Sequence, residues 1–263
     1  MKMKTFIITL SSNEESVKST ERTIQSAKNV GYNEPIEKFE AILPSEWHTI
    51  LLGGRENPHN SYFQRYNRPD NVAACFASHY LLWKKCVELN EPILILEHDA
   101  IFKDNIPDID FKMCINFGRP SYIQPHSMVY EEPSDGVHQL VQKTFLGHHA
   151  YAIKPEAAKI LCQDAESKHL DANDVFINSD RYSWLEDYNP HPIWADTQFS
   201  TIQDTWMDPN ISWLDNFKNI FPELPIWETD TPEFKYLVRH YNHCLTEPQS
   251  ATYIDAVTGS LLR

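Results

Sequence analysis

A chain of 263 residues with 41% hydrophobic and 23% charged side chains is long enough to bury a substantial core, and it lacks the composition of a disordered chain. Its 37 acidic against 23 basic residues give a formal charge of −14, which repels phosphate backbones and argues against general nucleic-acid binding. Only 7 glycines leave no glycine-rich phosphate loop, and five cysteines at irregular spacings without a CxxC pair indicate neither a zinc ribbon nor a disulfide framework.

Met1 to Leu10 superficially resembles a signal peptide, but its apolar run stops at Ser11 without a small-residue cleavage site. Within it, Thr5 to Leu10 (TFIITL) is β-branched and apolar, which predicts a buried first strand. Ser16 to Val30 carries Val17, Thr20, Ile24 and Ala27 at helical spacing, with Gly31 as its C-cap. Glu37 to Ile42 predicts a second strand, and strand–helix–strand favours a parallel sheet.

Pro44 to Asp70 reads as a long irregular loop, in which Arg55, Arg65 and Arg68 form either a local basic patch or three solvated arginines. Val72 to Leu89 predicts an amphipathic helix, stopped at Asn90-Glu91-Pro92, with Cys75 and Cys86 as ordinary buried thiols. The uninterrupted run Ile93 to Leu96 has the pattern of a central parallel strand covered on both faces. Short strand-like pieces follow from Phe117 to Leu146, then a strand at Ala150 to Ile153 and a helix from Pro155 to Cys162 with proline in its first turn. Beyond Trp206 aromatics remain dense but prolines interrupt them. The expected division is a main domain over residues 1–204 and a C-terminal appendage over 205–263. No segment approaches the roughly 18 apolar residues of a membrane span, and the expected compartment is the cytoplasm.

Chemistry concentrates in Glu97-His98-Asp99, where the apolar strand ends, because ligands of open parallel sheets gather at the carboxyl ends of strands. Residues two apart on an extended chain share a face, so Glu97 and Asp99 can offer oxygen ligands to one Mg²⁺ or Mn²⁺. Such an ion completes its shell with substrate phosphates and water, as in nucleotide-diphosphate binding. On spacing alone, a solvated strand end remains an equal reading. His148 and His149 pair temptingly with His98; neighbours on a strand face opposite ways, so at most one joins a given site, and His149 is the favoured one. Ser78 reads as a donor-binding hydroxyl or a packing residue, and His191 as a sugar-stacking or loop residue.

Ala74 to Phe102 (ACFASHYLLWKKCVELNEPILILEHDAIF) resembles glycosyltransferase family 25, which includes lipooligosaccharide and collagen galactosyltransferases. The family pattern is Gly-Cys-x-x-Ser-His opening a helix, a Trp within it, and an apolar strand ending Glu-Asp-Asp. Cys75, Ser78, His79, Trp83, Glu97 and Asp99 match it. Gly147 to Leu161, Asp171 to Ile177 and Phe199 to Asp204 resemble further family segments in order, so the resemblance spans roughly residues 5–204. Ala74 replaces the family glycine, His98 the middle carboxylate, and Thr9-Leu10-Ser11-Ser12 the Asn-Leu-x-x-Arg of the first strand.

The resemblance implies an α/β, GT-A-like (Rossmann-like) fold with a mostly parallel central sheet flanked by helices. It further implies a metal-dependent transferase that moves a sugar from a nucleotide donor, a UDP-sugar foremost, to a hydroxyl acceptor such as a lipooligosaccharide glycan. Thr9, Ser11, Ser78, Glu97, Asp99 and His149 are then the expected donor-binding residues, Glu97 and Asp99 the expected ligands of Mn²⁺ or Mg²⁺, and Asp174 the expected catalytic carboxylate. On local grounds Asp174 reads equally as a helix N-cap. A modified DNA base or a protein side chain is the alternative acceptor. A catalytically inactive binding or structural protein on the same fold is the alternative function.

Overall fold

The computed structural model describes residues 3–52, 63, 66, 68–119, 135–140, 145 and 147–195. The C-terminal appendage, the Phe199–Asp204 segment, Arg55 and Arg65 lie outside the described residues.

Strand β1 (Lys4–Thr9) leads through Asn13 into helix α1 (Glu14–Asn29). The Asn13 side chain accepts from the backbone N–H groups of Glu15 and Ser16, which satisfies donors that a helix start otherwise leaves open. Gly31, at φ +79°, turns the chain out of α1 toward β2 (Ile36–Glu40). The loop expected from Pro44 to Asp70 instead contains a short helix, α2 (Trp47–Leu52), and Pro69 already belongs to α3 (Pro69–Leu89). Trp47 explains the difference. It is 2% exposed, stacks on the ring of Phe63 edgewise and donates its indole N–H to Asp70, so tertiary packing holds a turn whose sequence lacks helical periodicity.

Asn90 ends α3 in the left-handed conformation at φ 52°, and β3 (Ile93–Glu97) follows. Next come β4 (Ala100–Phe102), β5 (Cys114–Asn116), β6 (Gly136–Gln139), β7 (Ala150–Ile153), α4 (Pro155–Ser167), α5 (Asn173–Phe176), β8 (Leu185–Asn189) and β9 (Ile193–Ala195). Seven strands form one sheet in the order β2-β1-β3-β7-β5-β8-β6, and β4 pairs with β9 beside it. Five of the seven share one direction, while β7 and β6 run against their neighbours. Strand β3 is therefore parallel to β1 on one side and antiparallel to β7 on the other.

Successive residues on a strand point to opposite faces, and the core divides accordingly. Phe6, Ile95, Tyr151 and Ile153 join one apolar layer with α3 and α4 residues such as Phe76, Trp83 and Leu161. Ile7, Leu94, Leu96 and Ala152 join the other, with Ala27 of α1 and Phe102 of β4. Ile93 to Leu96 are wholly buried, as two covered faces require. No helix among the described residues is long and apolar enough to cross a membrane.

Candidate active site

Because β1, β2 and β3 are parallel, their carboxyl ends meet at one edge of the sheet. A cleft of about 310 Å³ opens there. Its floor comes from the residues at and beyond each strand end: Ile8, Leu10 and Asn13 at β1, Ala41, Ile42 and Pro44 beyond β2, and Glu97, His98 and Asp99 at β3. The first half of α3 supplies the wall, with Arg68, Asn71, Ala74, Cys75, Ser78 and His79.

Glu97 is the last residue of β3, and His98 and Asp99 form a turn rather than further strand. The expectation that Glu97 and Asp99 share a face by strand alternation therefore does not apply, although both line the cleft. Glu97 Oε1 lies 3.1 Å from His79 Nε2, 2.8 Å from His148 Nε2 and 3.9 Å from Cys75 Sγ. Asp99 is not part of this cluster, whose four ligand-type atoms lie within 4.8 Å of one another.

The cluster draws on three elements. Cys75 and His79 stand one turn apart on α3, where positions i and i+4 share a face. His148 comes from the turn before β7, set by Gly147 at φ +94°. Behind His79, the Tyr151 hydroxyl lies 2.9 Å from its Nδ1 and accepts the indole N–H of Trp83 at 2.8 Å. Asn173 Nδ2 faces Cys75 Sγ at 3.9 Å.

The electrostatics follow from this packing. Burial by itself opposes ionisation of Glu97, but the charge and hydrogen bond of His148, with the hydrogen bond of His79, outweigh it and hold the carboxyl well below its ordinary value. Burial likewise opposes protonation of His148. The Glu97 carboxylate, a Cys75 hydrogen bond and the Asp174 charge reverse that, so its pKa lies well above 6.5. Burial keeps His79 neutral and raises the Cys75 thiol to about 11. The resting cluster is thus a carboxylate–imidazolium pair beside a neutral imidazole and a thiol.

Thr9 is 1% exposed and its hydroxyl meets Thr20 at 2.9 Å, inside the β1–α1 interface rather than on the cleft. Ser11 bonds the Glu40 carboxylate with both its backbone N–H and its hydroxyl. Ser78 does line the cleft, accepting the Ile42 N–H at 2.9 Å and donating to the Ala74 carbonyl at 2.9 Å, so it also ties the β2 exit to α3. Asp174 sits within α5, where Ala172 and not an acidic residue is the N-cap; it is 7% exposed and close enough to act electrostatically on Cys75 and His148.

His149 was the histidine expected at the site, but His148 is the one that reaches Glu97. The pair lies in a turn, and the His149 ring is directed toward Gly118, 5% exposed, where burial lowers its pKa to about 4. His191 bonds Asp187 at 2.9 Å. Cys75, expected as an ordinary buried thiol, and His79, expected only as part of the family pattern, both belong to the cluster. The signal that identifies them is their i, i+4 spacing in the first half of the helix that precedes the acidic strand.

Residues 2–177, about two-thirds of the sequence, match the family described as glycosyltransferase family 25 (LPS biosynthesis protein). No curated protein matches the sequence. Among solved structures, apo mouse xyloside xylosyltransferase 1 is similar at 8% identity over 70% of this chain and 84% of that one. Its TM-score of 0.36 makes the likeness too distant to bear on the chemistry. The family match covers the cleft strands, the Cys75–His79 helix face and the Glu97 terminus together: the chain belongs to glycosyltransferase family 25 and is a glycosyltransferase.

Proposed function

We propose that the cleft binds a nucleotide-sugar donor, a UDP-sugar foremost, and that the enzyme transfers its sugar to a hydroxyl of a glycan acceptor of the lipooligosaccharide kind. The observation that carries this reading is the cleft itself: about 310 Å³, at the carboxyl ends of three parallel strands, lined by Asp99, Glu97, Arg68, Asn71 and Ser78. The description of the family as LPS biosynthesis proteins supports the acceptor class.

The donor set suits a hard divalent cation such as Mn²⁺ or Mg²⁺. Asp99 and Glu97 both line the cleft and carry the hard carboxylate oxygens such an ion prefers. When bound there, the ion supplies charge neutralisation for the departing diphosphate. Arg68 adds a second cation to the same wall. Asn13, which caps α1, has Glu14 and Glu15 behind it, so this helix start does not serve as an anion cradle. In the transfer, the bond from the sugar anomeric carbon to the phosphate oxygen breaks with its electron pair on the diphosphate. The acceptor oxygen bonds that carbon and loses its proton, for which Asp174 is the proposed base.

Purified protein incubated with a panel of nucleotide sugars, with and without Mn²⁺, tests the reading. Release of nucleoside diphosphate from at least one donor, dependent on the metal and lost in Asp99→Ala, is expected. If no donor is bound or turned over, the transferase-fold binding protein is the correct description instead.

A further inference from the structure

Cys75, His79 and His148 play no part in the donor chemistry just described, yet all three converge on one oxygen of Glu97, Oε1. We infer that Cys75 Sγ, His79 Nε2, His148 Nε2 and Glu97 Oε1 form a tetrahedral site for a thiophilic divalent cation, of which Zn²⁺ is the type, distinct from the hard cation at the cleft face.

The geometry carries the inference. Bonds of about 2.0–2.3 Å to a tetrahedral zinc place N and O ligands about 3.3 Å apart, and S and O ligands about 3.6 Å apart. The corresponding separations are 3.1 and 2.8 Å from Glu97 Oε1 to His79 and His148, and 3.9 Å to the Cys75 sulfur. All four atoms lie within 4.8 Å of one another.

The donor set selects the ion. One thiolate, two imidazoles and one carboxylate suit zinc, whereas Mn²⁺ and Mg²⁺ prefer oxygen alone. The surroundings match those of a ligating set as well. A histidine bound to metal through one nitrogen donates the other N–H to an orienting partner, and His79 Nδ1 has Tyr151 at 2.9 Å, itself fixed by Trp83. Asn173 Nδ2 faces the sulfur, as a donor to a thiolate would. Cys75, His79 and Glu97 also line the cleft, which provides the entry path. On binding, the Cys75 thiol proton and the His148 imidazolium proton leave to solvent, and the ion takes their place.

Such an ion would join α3, the end of β3 and the turn before β7, fixing the Glu97 carboxylate where it lines the cleft. The competing state of the same atoms is purely protonic: Trp83 donates to Tyr151, Tyr151 to His79 Nδ1, and His79 Nε2–H to Glu97. The two states differ in which His79 nitrogen carries hydrogen, and experiment separates them.

The test uses full-length protein, stripped with chelator and titrated with Co²⁺ and then Zn²⁺ without donor or acceptor, so its result is independent of transferase activity. One equivalent of Co²⁺ is expected to give intense tetrahedral d–d bands with thiolate-to-cobalt charge transfer, displaced by one equivalent of Zn²⁺. Cys75→Ser should abolish the charge transfer, and Tyr151→Phe, which keeps the ring and all four ligands, should weaken Zn²⁺ binding about 10- to 100-fold. Weak octahedral bands without charge transfer, no stoichiometric uptake by the wild type, or a spectrum unchanged in Cys75→Ser would each overturn the site in favour of the protonic chain.

Discussion

His148 Nε2 lies 2.8 Å from Glu97 Oε1, and both side chains are more than four-fifths shielded from solvent. Removing one member of a shielded ion pair strands the other, at a cost of about 3 kcal/mol or more. His148→Ala is expected to show a loss of that order in urea unfolding of metal-free protein, and His148→Gln, which keeps an N–H donor, a smaller one. Equal losses for the two would mean that packing, not the contact to Glu97, fixes His148.

The histidine is delivered by two glycines. A Cβ on Gly118 would lie 2.0 Å from the Gly147 carbonyl oxygen, and a Cβ on Gly147 would lie 2.1 Å from the Gly118 carbonyl oxygen. Gly147 also has a positive φ of 94°. These are backbone atoms and cannot swing aside as a flexible side chain would. Gly118→Ala is therefore expected to cost at least about 2 kcal/mol and to weaken cobalt uptake, because the turn that carries His148 must shift. Wild-type stability in Gly118→Ala would show that the two strand ends can separate without penalty.

Acid should destabilise the metal-free protein through His149. Its folded pKa of about 4 lies below the ordinary 6.5, so the unfolded chain binds the extra proton between those values and stability falls as pH drops through that window. At about 1.4 kcal/mol per pH unit the full effect is about 3 kcal/mol. His79, kept neutral by burial, acts in the same direction. In the neighbouring pair, His148 has the opposite sense and Glu97 the same one. His148, with a raised pKa, stabilises fully below 6.5 and loses its contribution as pH rises through its folded value. Glu97, with a lowered pKa, stabilises above 4.5 and loses its contribution as pH falls through its own. Unfolding free energies of wild type and His149→Gln at pH 7 and pH 4 check this: the variant should lose less on acidification, and parallel losses would contradict the assignment.

Much of this fold is legible in the sequence because burial writes itself into apolar runs. Thr5 to Leu10 and Ile93 to Leu96 announce β1 and β3, and Pro155 marks the start of α4. Strand β8 does not announce itself, since Leu185–Asn189 reads LEDYN. Its carboxylates are satisfied chiefly by groups distant in sequence: Glu186 accepts the Lys112 N–H at 2.6 Å and Asp187 accepts from Asn116 at 2.8 Å, with the nearby His191 at 2.9 Å from Asp187 as well. The site divides in the same way. Glu97 and Asp99 are visible as a strand terminus, whereas the choice of His148 over His149 depends on a turn whose shape comes from a glycine packed against Gly118.

The cleft is proposed to hold a nucleotide-sugar donor against Asp99 and Glu97. Calorimetric titration of UDP-sugars into wild type and Asp99→Ala, each with and without Mn²⁺, measures it most directly. For at least one donor, the wild type should bind only weakly without Mn²⁺ and saturate with it, and Asp99→Ala should lose at least about 10-fold in affinity, the loss of one charge-assisted contact. Binding that is indifferent both to Mn²⁺ and to the loss of Asp99 would contradict the account.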